Sequence, residues 1–390
     1  MFQSNLWCYL WDLADEGIDE ALDRIVGEAG VAGVSVATSY HSIDQLRPHA
    51  GVTPRRFRSP GGLMFQPCME NYADSRIKPV PAHWLSSRNP LADLGEGCVK
   101  RGLTLRGWAV CCHSSLLVSR HESCAVINVF GDIDPTWLCP INPDVGEYLR
   151  LMIEDLCGHY PFETIELERP TFQYRPHVHA HRKVGVELGE IGQWLYQLCY
   201  CAACRRAAEQ DGIDVGAAAH TTARTLEAIF TKGVAFSGTP EHFAADHPEL
   251  KAFIDWRCRR VTHLIASLRQ VCTARLVVHR GGDHYLSATD WSAIGRHCDA
   301  TLSNCPHDDG IILDAVQAAL QDTGDIRHVE LGFQATAPDC PDSQTLVRSA
   351  ATSVAAGVNS INIYNYGLMS FSRLEWIRQA IRYAQREATA

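Results

Sequence analysis

Residues 164–168 read TIELE and residues 327–333 read RHVELGF, and these two stretches decide the fold. Both alternate apolar and polar side chains with the period of two that is typical of a β-strand. Six similar runs lie at 5–11, 33–39, 103–110, 275–279, 300–304 and 360–365. Amphipathic helical sequence separates the runs. Eight strands that alternate with helices predict an α/β fold, a (β/α)₈ TIM barrel.

Two long segments interrupt the alternation. Residues 51–102 follow the second strand and residues 169–200 follow the fourth. Loops that follow strands lie at the carboxyl-terminal face of a barrel, where barrel enzymes assemble their active sites. The sequence therefore predicts one catalytic domain over residues 1–390, with long insertions at the face that carries the chemistry.

The overall composition limits the partners of the protein. The net charge of −10 disfavours nucleic acid and anionic membranes as the main partner. The amino terminus has no basic segment before an apolar one, so we expect a cytoplasmic protein without a signal peptide. In a reducing compartment the 16 cysteines are thiols, and a tight cysteine cluster is then best interpreted as a metal site.

Glutamates point into the predicted barrel from two strands. Since Ile165 and Leu167 face the helices, Glu166 and Glu168 face the interior, and by the same alternation so does Glu330. Buried carboxylates have a desolvation cost that packing alone would avoid. Either they carry chemistry, or they form buried ion pairs with Arg106 or Arg280, or the strand faces the opposite way.

Two carboxylates across a barrel mouth suit the hydrolysis of a glycosidic bond. One donates a proton to the leaving oxygen, and the other attacks the anomeric carbon or activates water. We expect Glu168 to be the acid/base, Glu330 the nucleophile and Glu166 a deeper catalytic group, with Asp308 and Asp309 as alternative carboxylates. A separation of about 5–5.5 Å between Glu168 and Glu330 would give retention of configuration.

Aromatic and hydrogen-bonding residues follow several of the predicted strands. Aromatic rings can pack against sugar C–H groups, and polar side chains can bind hydroxyl groups. The substrate-binding candidates are Asp12, Tyr40, His41, His113, Trp137, His279, Asn304 and Tyr364, with Trp11 and Tyr366 as further aromatic candidates.

A cysteine cluster, LCYCAACRR, occupies residues 198–206. Cys199, Cys201 and Cys204 can reach one tetrahedral ion, and a structural zinc requires a fourth ligand. Cys139, in WLCPINP, is the best fourth ligand; Cys124 and the histidines of HVHAH are alternatives. The cysteines could also be free thiols in the core.

The order of these features resembles the family 42 β-galactosidases: a Cys-Pro segment leads into a helix, a glutamate ends strand four, and CYCAAC follows. The resemblance implies a zinc ion bound by Cys139, Cys199, Cys201 and Cys204, with Glu168 as acid/base and Glu330 as nucleophile. The sequence departs from the family at Leu167, where the family has asparagine, and in the length of the segment before the cysteines. The resemblance therefore supports a distant glycosidase-like relative with a small carbohydrate substrate and no assigned sugar.

Three histidines, His177, His179 and His181, alternate in HVHAHRK. They could bind a metal, line a subsite for an acidic or heavily hydroxylated sugar, or belong to a solvated loop. The leading hypothesis is a glycoside hydrolase, which could form a homo-oligomer. The alternatives are a metal-dependent sugar isomerase, epimerase or lyase, and a carbohydrate-binding pseudoenzyme.

Overall fold

The computed structural model describes residues 2–49, 54–85, 87–173 and 183–388. Eight parallel strands form a closed barrel, because β1 pairs with both β2 and β8. The predicted (β/α)₈ barrel is therefore confirmed. The barrel strands are β1 (Gln3–Cys8), β2 (Gly33–Tyr40), β3 (Thr104–Val110), β4 (Thr164–Glu168), β5 (Arg275–His279), β6 (Ala300–Cys305), β7 (Val329–Gln334) and β8 (Ser360–Tyr364).

Helices surround the barrel and cover its apolar outer face. In the described residues they are α1 (Leu10–Glu16), α2 (Ile18–Arg24), α3 (Pro90–Arg101), α4 (Ser115–Arg120), α5 (Pro143–His159), α6 (Gly189–Gln197), α7 (Ala202–Gln210), α8 (Val215–Lys232), α9 (Pro240–Ala245), α10 (Pro248–Val271), α11 (Trp291–Gly295), α12 (Asp309–Thr323), α13 (Ser343–Ala355) and α14 (Ser372–Glu387). None of these helices combines the length and the apolar character that crossing a bilayer would need.

The first strand is shorter than the sequence predicts. It ends at Cys8, and α1 begins at Leu10, so Trp11 and Asp12 lie on a helix instead of at a strand end. After Asn5, the run NLWCYLW is apolar because both its strand part and its helix part are buried. Period alone could not show where one element gives way to the other.

The two predicted insertions contain regular structure. The segment after β2 forms a hairpin, with strands at Ile43–Leu46 and Arg56–Ser59, and then contains helix α3. The segment after β4 contains α6, and α7 to α10 follow before β5 begins. The loop between β3 and α5 also carries a hairpin, with strands at Ala125–Ile127 and Ile133–Leu138. These three segments surround the mouth of the barrel.

Candidate functional site

Two tryptophans form the floor of the barrel mouth. Trp7 on β1 and Trp108 on β3 point inward, and their ring centroids are 6.2 Å apart. The Nε1–H of Trp7 donates to Oε2 of Glu166 at 2.8 Å, and the Nε1–H of Trp108 donates to Oε2 of Glu168 at 2.6 Å. Each indole therefore holds one of the two glutamates of β4.

Glu168 is the last residue of β4, and 25% of its side chain is exposed. Trp108 occupies its Oε2, while Oε1 lies 3.6 Å from Nε of Arg169. A carboxylate that is anchored through one oxygen and remains accessible has the geometry that proton transfer to a ligand requires.

Three tyrosine hydroxyl groups meet beside Glu168. The hydroxyl of Tyr9 lies 2.9 Å from that of Tyr40 and 2.5 Å from that of Tyr364. Burial raises the pKa of all three phenols, and the negative charge of Glu168 raises the pKa of Tyr40 and Tyr364 further. The three groups therefore remain protonated at neutral pH and act as hydrogen-bonding hydroxyls.

Glu166 and Glu330 belong to a buried network beneath this floor. Arg106 donates from Nε to Glu166 at 2.6 Å and from Nη2 to Glu330 at 2.8 Å. Arg275 also pairs with Glu330, and Asn362 donates to it at 3.1 Å. Burial alone would raise the pKa of Glu330, but the two guanidinium groups outweigh burial and hold that pKa below its usual value.

The position of Glu330 does not suit the nucleophile that the sequence predicted. Glu330 is the second residue of β7, and it lines a cavity of about 360 Å³ together with Thr104, Arg275 and Ser360, which begin their strands. This cavity lies at the amino-terminal end of the barrel, whereas Glu168 lies at the carboxyl-terminal end. Glu330 forms the buried ion pair with Arg106 that the sequence analysis gave as the alternative to a catalytic role. Arg280, the other arginine considered there, pairs with Asp322 instead.

Several predicted substrate-binding residues lie at the mouth. Four aromatic rings stack in a row there. The ring centroids of Tyr40 and His41 are 4.3 Å apart, and those of His41 and His113 are 4.2 Å apart. The row ends at Trp137, whose ring centroid is 4.9 Å from that of His113. Trp137 is fully buried and donates to the carbonyl of Thr171 at 2.9 Å, which is a structural role. Tyr364 is half-buried and Asn304 is exposed, so both can be reached by a ligand.

Other candidates lie away from the opening. His279 is buried and contacts Oε2 of Glu166 at 3.0 Å, in the network below the floor. Asp12 is buried under Gln45, whose Nε2 donates to it at 2.9 Å, and burial raises the pKa of Asp12 to about 7. Asp308 caps α12, and Asp309 accepts from Thr352. Two further candidate rings, those of Trp11 and Tyr366, are buried.

The four predicted cysteines come together. The sulfur atoms of Cys139, Cys199, Cys201 and Cys204 all lie within 4.8 Å of one another, and all four residues are buried. Cys201 is the N-cap of α7, and its Sγ accepts from the N–H of Cys204 at 3.5 Å. Among the described residues this is the one group of ligand atoms that could hold a metal ion.

The other candidate ligands do not join this cluster. The Sγ of Cys124 lies 4.0 Å from a carboxylate oxygen of Asp144 and is not part of the four-sulfur group. His177, His179 and His181 lie outside the described residues. Four thiols at this spacing suit a tetrahedral thiolate site, since the closed Cys₄ set is typical of structural zinc.

Sequence reasoning did not select Trp7, Tyr9, Trp108 or Gln334, although the structure places all four at the mouth or its floor. A usable signal was present for Trp7, Trp108 and Gln334. They lie two residues apart from other inward-facing residues on β1, β3 and β7, so the alternation that placed Glu168 inward also places them inward.

Comparison with known proteins supports the fold. No protein-family model matches the sequence, and no curated protein matches it. The structure is similar to the PgaB (BpsB) glycoside hydrolase domain from Bordetella bronchiseptica, with a TM-score of 0.62, 11% identity and coverage of 99% of this chain and 98% of that one.

Two larger proteins contain a similar barrel. α-L-Fucosidase isoenzyme 2 from Paenibacillus thiaminolyticus has a TM-score of 0.61 and 13% identity, with coverage of 100% of this chain and 50% of the fucosidase. The β-galactosidase from the psychrophilic Marinomonas ef1 has a TM-score of 0.57 and 13% identity, with coverage of 98% and 59%. The chain thus spans half of the fucosidase and 59% of the β-galactosidase. All three similarities show a shared barrel, and none shows membership of family 42.

Proposed function

We propose that the protein is a glycoside hydrolase and that Glu168 is its general acid. The observation that carries this proposal is the accessible carboxylate at the end of β4, anchored through Oε2 by Trp108 at 2.6 Å. The three similar barrels come from a glycoside hydrolase domain, a fucosidase and a galactosidase, which supports the same reaction class.

The surroundings of Glu168 favour the transfer of a proton to a sugar. Trp108 occupies Oε2, which leaves Oε1 to carry the transferred proton. The half-buried ring of Tyr364 and the exposed carboxamide of Asn304 are available to a small carbohydrate. We assign Glu166 and Glu330 to the buried network with Arg106, where they hold the floor of the site without touching the substrate.

A zinc ion bound by Cys139, Cys199, Cys201 and Cys204 is part of this proposal. Cys139 follows the hairpin in the loop after β3, and the other three lie at the start of α7, after β4. The ion would join the two segments that flank Glu168. Since four thiolates close a tetrahedral site, the ion would stabilise this region without taking part in the reaction.

A screen of aryl glycosides tests the function. We expect Glu168→Gln to lower kcat/KM by about 10²–10⁴-fold, the usual contribution of general acid catalysis. Glu163→Gln is the matched control, because Glu163 is exposed and lies immediately before the first residue of the same strand. Equal turnover by Glu168→Gln and the control would refute the assignment of Glu168, and failure to cleave any glycoside would refute the reaction class.

A further inference from the structure

At the carboxyl-terminal end of each barrel strand, one side chain occupies the last inward-facing position. All eight of these residues belong to the part of the chain that the structure describes. One of them, Glu168, is a carboxylate. Gln334 occupies the end of β7, where it accepts a hydrogen bond from Thr336 at 3.1 Å. A neutral carboxamide cannot serve as a base or a carboxylate nucleophile. In strand order the eight are Tyr9, Tyr40, Val110, Glu168, His279, Asn304, Gln334 and Tyr364.

Several carboxylates in the segments that follow these strands have other roles. Several accept backbone N–H groups as helix caps, and others pair with arginine or with hydroxyl groups. Every Asp and Glu of the chain lies in the described residues. Examples are Asp15, Asp283, Asp290, Asp308, Asp309 and Asp342.

We infer that the substrate supplies its own nucleophile, and that it is a glycoside of a 2-acetamido-2-deoxy sugar. The inference rests on the proposed function, because it assumes that Glu168 protonates a glycosidic oxygen. With Glu330 held by two arginines beneath the floor, the attacking atom is the carbonyl oxygen of the acetamido group on C2.

The two steps balance without a second carboxylate. In the first step, protonated Glu168 gives its proton to the glycosidic oxygen as the C1–O bond breaks. The acetamido oxygen then bonds to C1 and forms an oxazolinium ring. In the second step, water attacks C1 and gives a proton to the Glu168 carboxylate, and the ring opens to restore the acetamide.

The mouth suits an acetamido group. The rings of Trp7, Trp108 and Tyr364 cluster beside Glu168, with centroids 6.0–6.2 Å apart. The two indoles are buried and Tyr364 is half-buried, so a methyl group would pack against the ring of Tyr364. Asn304 is exposed, and its carboxamide oxygen is the acceptor we assign to the amide N–H. It reaches into the mouth because Gly332 has no side chain; a Cβ at that position would lie 2.2 Å from Oδ1 of Asn304.

The chemistry also specifies the anomer. The acetamido oxygen reaches C1 from the face opposite the leaving group, so the two substituents must be trans. In the gluco and galacto series this is the β-anomer. Since water then attacks from the side that the aglycone left, the product retains the configuration of the substrate.

Matched aryl glycosides test the inference. We expect the β-linked 2-acetamido-2-deoxy glucoside or galactoside to be cleaved with kcat/KM at least about 100-fold above that of the 2-hydroxy glycoside with the same aglycone. Replacement of the acetamido methyl hydrogens by one, two and three fluorine atoms should lower kcat stepwise, because each fluorine weakens the attacking oxygen. A thiazoline analogue of the oxazoline should inhibit competitively.

The outcomes separate this inference from the proposed function. Cleavage of the 2-hydroxy glycosides with comparable kcat/KM, lost in Glu168→Gln, would overturn the inference and keep the hydrolase. A kcat that does not respond to fluorination would also overturn it, since the acetamido oxygen would then not be the nucleophile. If neither series is cleaved, the proposed function itself fails.

Discussion

Trp108 donates its indole N–H to Oε2 of Glu168 at 2.6 Å, while Trp7, the adjacent indole of the same floor, donates to Glu166 at 2.8 Å. The two tryptophans are thus equivalent donors to two different carboxylates of one strand. This pairing permits a matched test of how Glu168 is positioned.

We expect Trp108→Phe to lower kcat with little change in KM, because the variant lacks the indole N–H that fixes Oε2 of Glu168 for proton transfer. Steady-state kinetics of both tryptophan variants on one aryl glycoside measure the effect. Trp7→Phe is the control and should lower kcat less, because its indole binds Glu166 instead. An unchanged kcat in Trp108→Phe would exclude a positioning role for this indole.

Glu330→Gln separates a structural role from a catalytic one. Removal of this carboxylate leaves the charges of Arg106 and Arg275 without their shared partner, and breaking a buried ion pair costs about 3–5 kcal/mol. We expect a free energy of unfolding lower by that amount, measured in denaturant, and measurable activity in the folded protein at low temperature. A stable but inactive Glu330→Gln variant would instead support Glu330 as the nucleophile.

The cysteine cluster predicts a coupled loss of metal and stability. Cys201→Ser should lower the zinc content and the melting temperature together, because the binding energy of a structural ion contributes to folding. Cys298→Ser, at a half-buried cysteine outside the cluster, is the control. Metal analysis that finds no zinc, together with an unchanged melting temperature in a strong chelator, would make the four residues free core thiols.

Asp12 gives the stability of the protein a pH dependence. Burial raises its pKa from 3.8 to about 7, so its contribution to stability is complete below the unfolded-state pKa and is lost as the pH rises through about 7. Asp12→Asn should therefore be more stable than the wild type at pH 8, by on the order of 4 kcal/mol, and this gain should shrink toward pH 4.

Thermal or denaturant unfolding at several pH values measures the effect. Asp74→Asn, at an exposed aspartate, is the control and should show no such trend. A stability difference between Asp12→Asn and the wild type that stays constant from pH 4 to pH 8 would contradict the assignment.

The sequence predicted the barrel because most of its strands carry strong local signals. The bounds of β4 and β5 agree with the prediction at both ends. The spacing of Cys199, Cys201 and Cys204 predicted three members of the four-cysteine group, and the place of Cys139 before a helix, with the family resemblance, predicted the fourth. Helix α3 was missed because Gly95 and Gly97 lower its helix propensity. Close packing requires these glycines, since a Cβ at Gly97 would lie 2.6 Å from Leu22.

The candidate site was predicted less completely, for a different reason. The alternation of β4 and β7 placed Glu166, Glu168 and Glu330 inside the barrel. It could not show that Arg106, more than 200 residues before Glu330, would pair with it. The depth of a side chain in the barrel, and its partners on distant strands, depend on the register between strands. The sequence of a single strand does not contain that register.

The four-thiol cluster also changes what a break in the backbone would do. Residues 183–187 are exposed and lie between Cys139 and Cys199 along the chain. A protease that cuts there produces one fragment with Cys139 and Glu168 and another with the remaining three thiols. The pairing of β4 with β5 and of β1 with β8 would hold the two fragments together, and a metal ion shared between them would add a further link.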